Sequence, residues 1–491
     1  MSKSKSKRIC LPTRNFARAL ALNLNLNLNL PGWAWTSLAW VLLIQSLHAA
    51  PASESPRPNL LFILADDLRW DAVGFMGNRV IQTPNLDRLA RHGAIFQNAF
   101  VTTSICCVSR ASILTGQAER RHGIGDFAKP LTSAQWARTY PALLRAAGYR
   151  TGFIGKFGVG NEAAVKAMEK EFDFWRGLPG QGGLFLATND PTRTHATARM
   201  GNEALEFLRS TRRDQPFCLS ISFTAVHARD GQPREFTPDL RDESLYANAR
   251  ITPPATANDG AYRRLPECVR KSEGRKRWER RFATPAMFQA TAKDYCRLVT
   301  GIDREVGRIL ATLEELGRTA NTIIVFTSDN GFALGDRGLS DKWFAYEESI
   351  RVPLLIVDPR SPGKQNSRRA NEMVLNIDLA PTLLDYAGIP APAGMQGRSL
   401  RPLAEGRRVS GWRRDWLYEH HYEPKIIPPS EGVRSERWKY IRYVNESPVI
   451  EELFDLKRDS LEQRNLAGDA RQAATLVQLR ERWKMLSEEW K

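Results

Sequence analysis

Five stretches of the chain end in, or contain, side chains that could do chemistry. Asn59–Ala65 is a continuous apolar run followed by Asp66 and Asp67. Thr151–Gly155 is followed by Lys156, Phe217–Phe223 within four residues by His227, and Thr322–Thr327 leads past Ser328 to Asp329 and Asn330. Asp66, Asp67, Asp329 and Asn330 offer only oxygen donors, three of them anionic, which suits calcium or magnesium rather than zinc. Either pair alone reads as a helix N-cap or a turn. Two such pairs, each closing a buried strand, point to a metal. The fifth stretch, Ser104–Gln117, holds Cys106, Cys107 and Arg110. Helical apolar spacing begins after Ser109 and places Cys106 at or just before a helix N-terminus. There, free N–H groups and the helix dipole favour an anion. Arg110 adds a cation suited to sulfate or phosphate oxygens. By itself Cys106 reads as a buried structural cysteine; beside a metal and an arginine it is a candidate nucleophile or the precursor of one.

These groups are scattered along the chain, and only a particular kind of fold can bring them together. From Pro58 to Pro402, short apolar runs alternate with amphipathic segments, the pattern of an α/β domain with a largely parallel sheet. In such sheets ligands collect outside the carboxyl ends of the strands, which is where each of these groups falls. A fifth apolar run is Pro353–Val357, and helices are expected at 84–92, 141–147, 202–210, 292–316 and 379–386. After a polar, basic connector, strands are expected at 416–419, 432–434, 439–443 and 452–455, followed by a helix at 471–490. This reads as an antiparallel sheet packed on one helix. The expected division is residues 1–50 as a signal peptide, 57–404 as the catalytic domain and 405–491 as a C-terminal subdomain.

The 491 residues carry a formal charge of +17, and six of the positive charges lie in the first 18 residues. That basic start precedes Trp33–Leu47, an apolar run of about 15 residues, short of the roughly 20 a membrane-spanning helix needs. Small residues follow at Ala49–Ala52, so the N-terminus reads as an export signal to the periplasm or the exterior. An uncleaved anchor is the alternative, and no stable membrane insertion is expected. The remainder is still basic, which suits an anionic substrate, anionic lipid or nucleic acid, or is a basic surface with no specific partner; it carries no nucleic-acid-binding motif, and no nucleic acid partner is expected. Six cysteines are too few and too scattered for a disulfide scaffold, and adjacent Cys106 and Cys107 lack zinc-ligand spacing. Tyr262–Arg281 holds nine Lys or Arg against three Glu and reads as a solvated surface insertion.

The run Cys106-Cys107-Val108-Ser109-Arg110, continuing to Leu114-Thr115-Gly116, resembles the signature of type I sulfatases, Cys-x-Pro-Ser-Arg followed by Leu-Thr-Gly. The resemblance spans nearly all of the chain beyond the signal. It takes in Ala65-Asp66-Asp67, Gly155-Lys156, Thr327-Ser328-Asp329-Asn330-Gly331, Asp341-Lys342, Ile350-Arg351-Val352-Pro353, Asp378-Leu379-Ala380-Pro381-Thr382 and Gln396-Gly397-Arg398-Ser399. It implies the alkaline-phosphatase-like fold, a large mostly parallel mixed sheet between helices with a smaller C-terminal antiparallel sheet and helix. It implies sulfate ester hydrolysis, on sulfated polysaccharide or glycan, through formylglycine made from Cys106 by a maturation enzyme. Cys107 fails the spacing, since Ala111 lies four residues beyond it. Asp66, Asp67, Asp329 and Asn330, with position 106, would hold calcium. Arg110 would steady the formylglycine hydrate, Lys156, His227 and Lys342 would meet sulfate or the leaving oxygen, and Asp329 would double as a base.

Three positions depart from the family pattern. Val108 replaces the signature proline, which bears on maturation; Gly158 stands where many members carry a histidine; Arg337 stands where several relatives have a histidine. Arg337 suits an anionic substrate, and its pKa above about 12 bars it from general acid work. His420 and His421 open the C-terminal unit and read as lining a substrate cleft or as a strand edge. His122, after the signature helix, reads as a site residue or a cap. The alternatives to a sulfatase are a formylglycine phosphodiesterase or phosphonate hydrolase, and a non-catalytic protein that binds sulfated glycan with Cys106 unmodified.

Overall fold

The structure, a computed structural model, describes residues 57–180, 194–361 and 367–491. The signal expected at 1–50 lies outside them. Strand β1 (Asn59–Ala65) runs through the middle of the main sheet and is buried along its whole length. Successive side chains of a strand point to opposite faces. Leu61, Ile63 and Ala65 accordingly enter one apolar core, and Leu60, Phe62 and Leu64 enter another on the opposite face. An unbroken apolar run is what a strand covered on both faces requires. Each of the Leu, Ile and Phe side chains contributes roughly 1.5–3 kcal/mol by leaving water.

The other strands of this part are β2 (Ala94–Phe100), β3 (Arg150–Lys156), β4 (Phe174–Leu178), β5 (Phe217–Ser222), β6 (Thr322–Ser328), β7 (Ala333–Leu334), β8 (Ser340–Asp341), β9 (Arg351–Val352), β10 (Leu354–Val357) and β11 (Arg368–Leu375). The main sheet runs in the order β11-β2-β10-β6-β1-β5-β3-β4, with β9 paired to β2, and β7 and β8 form a separate ribbon. Only β9 and β10 run against the rest, so the sheet is mixed but mostly parallel. Helices α1 (Pro84–Ala90), α2 (Cys106–Thr115), α3 (Tyr140–Ala146), α4 (Ala196–Ser210), α5 (Glu273–Arg281), α6 (Pro285–Glu315) and α7 (Leu379–Tyr386) follow in chain order. α1, α4 and α6 contribute to one core, and α2, α3 and α7 to the other. The 31-residue α6 starts where Thr284 accepts a hydrogen bond from the Met287 N–H and Pro285 takes the first helical position.

The C-terminal sheet is antiparallel, β12 (Asp415–His420), β13 (Ser430–Ser435), β14 (Trp438–Tyr443) and β15 (Ile450–Asp455), and α8 (Ala473–Glu489) follows it. Alternation assigns its faces. Leu417, Val433, Tyr440 and Leu453 meet α8 through Leu476, Leu479 and Leu486. Trp416, Tyr418, Ile441, Tyr443 and Phe454 belong to the apolar cluster that contains Ile105, Cys106 and Cys107. One face of the small sheet is therefore part of the surroundings of Cys106.

The apolar runs and helices read from the sequence are present, with ends moved by a few residues. Six strands carried no clear signal: β7, β8 and β9 are two residues each, β4 and β11 are the sheet's edges and bear arginines, and β2 is broken by Gln97 and Asn98.

Candidate active site

Strands β1 and β6 are parallel neighbours with Ala65 opposite Ser328, so the residues that follow them emerge side by side. The Asp67 N–H donates to Asp329 Oδ1 at 3.1 Å, and Asn330 Nδ2 donates to Asp67 Oδ1 at 2.6 Å. Asp67 has φ +61°, a left-handed conformation that bends the chain sharply at the end of β1. All four side chains are buried. Asp66 Oδ1 and Asn330 Oδ1 are buried acceptors with no hydrogen-bond partner. Buried oxygen acceptors in that state cost stability unless something binds them, and a hard cation fits this donor set.

Cys106 is the first residue of α2 and is wholly buried. Its N-cap neighbour, Ile105, offers no side-chain oxygen, so the first N–H groups of the helix receive no side-chain cap from it. Burial pushes the Cys106 thiol up to about 12, against the pull of Lys156 and Lys342. As a thiol it stays protonated at neutral pH and is a poor nucleophile.

One turn further on, Arg110 Nε donates to Asp329 Oδ2 at 2.8 Å, and Nη1 donates to the Lys156 carbonyl at 2.5 Å and to Ser222 Oγ. Nη2 lies 3.5 Å from Asp66 Oδ2. Gly158 is where this side chain passes: a Cβ there would stand 2.6 Å from Arg110 Cδ, and φ is +73°. The residue at 158 is thus small because Arg110 occupies the space.

Lys156, the last residue of β3, places Nζ 2.7 Å from Asp66 Oδ2. Lys342 Nζ lies 2.6 and 2.7 Å from the two oxygens of Asp67. His227 Nδ1 lies 2.6 Å from the Ala228 carbonyl, which can only accept, so Nδ1 carries the hydrogen. Burial, then Lys342, lowers His227 to about 4, leaving Nε2 with its lone pair 3.6 Å from Asp67 Oδ2. Burial works to raise the Asp66 carboxyl, but Lys156 and then Arg110 outweigh it and hold it below the ordinary range. Asp67 and Asp329 are raised by burial in spite of the neighbouring cations. Donor atoms of Asp66, Asp67, Cys106 and His227 all lie within 4.8 Å of one another. His227 joins this group, while Asp329 is turned toward Arg110 and the Asp67 N–H.

Other groups stand elsewhere. Arg337 is buried between Glu348 and Glu462, 3.0 Å from each, donates to the Leu461 carbonyl and covers the Tyr346 ring at 4.5 Å. Its guanidinium is committed to the protein. His420 is wholly buried with no partner for either ring nitrogen, and burial lowers it to about 3. His421 is partly exposed and sits 3.3 Å from Glu431. His122 packs and caps: Nδ1 accepts the Ile124 N–H and Nε2 lies 3.0 Å from Ser112 Oγ.

The basic stretch 262–281 is the expected solvated insertion only in part: Arg263, Arg264, Lys271, Lys276 and Arg280 are exposed, but two of its arginines turn inward. Arg277 and Arg281 share one face of α5 and both reach Asp341 Oδ2, at 2.8 and 2.6 Å. Arg281 also holds Asp230 at 2.6 Å and Glu235, and is buried. Asp341, held well below the ordinary range, precedes Lys342 and turns the backbone with φ +80°. The arginine pair therefore fixes the loop that delivers Lys342. The i, i+4 spacing of 277 and 281 is the one trace of this in the sequence.

Two family profiles match the chain: Sulfatase over residues 58–389, and N-sulphoglucosamine sulphohydrolase, C-terminal, over 335–489. An N-acetylglucosamine-6-O-sulfatase of Bacteroides thetaiotaomicron is 30% identical, covering 86% of this chain and 84% of its own. An arylsulfatase of Clostridium perfringens is 29% identical over 84% of this chain and 90% of its own. Among solved structures, one described in complex with its substrate D-glucosamine-2-N,6-O-disulfate superposes with TM-score 0.73 at 26% identity, over 88% of this chain and 98% of that one.

Proposed function

This chain belongs to the sulfatase family of the alkaline phosphatase superfamily and is a sulfuric ester hydrolase, and from that premise we propose that it acts on sulfated polysaccharide or glycan through a formylglycine formed at Cys106 and a calcium ion. The observation that carries the reading is the meeting of Cys106 with two carboxylates and His227 in one buried group, under two lysines. A thiol pushed up to about 12 is unsuited to attack, which supports its conversion. The sulfated-sugar substrates of the relatives support the substrate class.

Asp66, Asp67, Asp329 and Asn330 would hold the calcium, which supplies Lewis-acid polarisation of sulfate oxygens when bound. Formylglycine supplies a hydroxyl nucleophile that the thiol cannot. Lys156 and Lys342 bring two ammonium groups to bear on the sulfate oxygens, in a site closed to water where such charges act strongly. Arg110 holds Asp329 by Oδ2, so that this carboxylate can take the proton of the attacking hydroxyl. The Ala228 carbonyl orients His227 so that Nε2 faces the site. Lys342 carries a proton at neutral pH and can give it to the leaving oxygen from Nζ.

Residues 1–50 would direct export to the periplasm or exterior, 57–404 would form the catalytic domain, and 405–491 the subdomain that walls it. No helix among the described residues is long and apolar enough to cross a membrane. The test is the mass of the tryptic peptide holding Cys106, from protein made with a formylglycine-generating partner. Conversion lowers it by about 18 Da, as CH₂–SH becomes CHO. An unchanged peptide, where a control sulfatase is converted, would sink the formylglycine mechanism.

A further inference from the structure

Among the side chains packed against the apolar cluster of Cys106, seven are only partly buried, and two of these, Phe127 and Tyr422, touch each other. They arrive from distant parts of the chain. Phe127 sits on a turn fixed by Asp126, whose Oδ1 accepts the N–H groups of Ala128 and Lys129 at 2.8 and 2.9 Å. Tyr422 follows β12 just before Glu423, where φ is +45°. The two rings meet edge to face, centroids 5.9 Å apart and planes at 79°, so together they form a right-angled corner. Lys156 Nζ lies 5.9 Å from the Phe127 ring centroid, which puts this corner beside the ammonium that would meet the sulfate. Behind Tyr422, at 6.5 Å between ring centroids, stands the buried and unpartnered His420.

We propose that Phe127 and Tyr422 are the wall on which a pyranose ring of the substrate rests while its sulfate lies at Lys156. The inference rests on the sulfated-glycan reading and assigns the side chains that would hold its sugar ring and set it apart from acyclic sulfate esters. A pyranose has a face of C–H groups that lies well on an aromatic ring, and an edge of hydroxyls that needs polar neighbours. Two half-covered aromatic rings supply the first. An acyclic ester presents no such face and gains nothing from them. His420 packs behind Tyr422 and is wholly buried.

The experiment compares the matured full-length wild type with Phe127→Ala, Tyr422→Ala and Tyr422→Phe, on a panel of pyranose monosulfates and on choline sulfate, an acyclic ester. For the best sugar sulfate, each alanine variant is expected to lose about tenfold in kcat/KM, chiefly through KM, with choline sulfate changed by less than about twofold. Tyr422→Phe is expected to keep the sugar activity, because the ring face is retained. Equal losses on both substrates, or no loss on the sugar, overturn the proposal; thermal melts of each variant show whether a loss is merely misfolding. A wild type that cleaves choline sulfate but no sugar sulfate overturns the wall and leaves the sulfatase reading intact. One that cleaves neither brings down that reading itself.

Discussion

A single methyl group added at Gly158 tests how Arg110 is held. The glycine has φ +73°, where a Cβ costs about 1–2 kcal/mol of backbone strain. The new Cβ would also stand 2.6 Å from Arg110 Cδ, closer than carbon atoms approach. Arg110 cannot simply swing aside, because its guanidinium is bound to Asp329, the Lys156 carbonyl and Ser222. Displacing it weakens at least one hydrogen bond to a charged group, worth about 1.5–3 kcal/mol. Gly158→Ala is therefore expected to destabilise the protein by about 2.5–5 kcal/mol, as the sum of strain and displacement. Denaturant unfolding of wild type, Gly158→Ala, Arg110→Ala and the double variant separates the two parts. In the Arg110→Ala background the methyl group should cost only the strain of about 1–2 kcal/mol. An equal cost in both backgrounds would refute the steric account. A kcat/KM for Gly158→Ala within twofold of wild type would refute the claim that Arg110 needs this space to do its work.

Arg281→Met removes a buried cation from Asp341, Glu235 and Asp230 and is expected to cost about 3–5 kcal/mol in urea unfolding, with activity falling further than Arg280→Met because Lys342 loses its support. Chelation of calcium is expected to lower both turnover and melting temperature, and calcium at 100 times its Kd to restore about 2.7 kcal/mol; a melting temperature blind to chelator and calcium alike contradicts the proposed ion. His122 carries a pH dependence whose sign is fixed. Burial, then Lys129, lowers it to about 3, so below its ordinary value the unfolded chain takes up a proton that the folded chain refuses, and stability is lost as pH falls. The stability of wild type relative to His122→Gln is expected to fall by about 2 kcal/mol between pH 7 and pH 5; a constant difference excludes this.

Much of the candidate site is legible in the sequence because unbroken apolar runs reveal buried strands, and the polar residue that follows each run must lie at the carboxyl end of the sheet. Asp66, Asp67, Lys156, Asp329 and Asn330 are found that way. What is not legible is the identity of a partner far along the chain. Arg337 reads as a spare cation until Glu348 and Glu462 are seen on either side of it. Arg281 reads as part of a solvated run until Asp341 closes on it. Charge in sequence has a sign but no direction, and a helix can turn alternate arginines inward or outward. Gly158 shows the converse: the sequence displays a missing histidine, whereas the structure displays an arginine that needs the room.

The inner face of the C-terminal sheet, with Trp416, Tyr418 and Tyr443, shares one apolar cluster with Cys106 and Cys107. Those strands leave the ribosome more than 300 residues after Cys106. On the proposed maturation, this sets an order of events. While the last quarter of the chain is still unmade, the thiol lacks part of its cover; once β12–β15 dock, it is buried at the start of α2, where a second protein cannot take hold of the peptide. Conversion is thus expected to belong to the nascent or unfolded chain, and the native fold to act as a clock that ends the opportunity. Maturation enzyme added to folded, unconverted protein should leave the Cys106 peptide mass unchanged, and the same enzyme added to the unfolded chain should lower it.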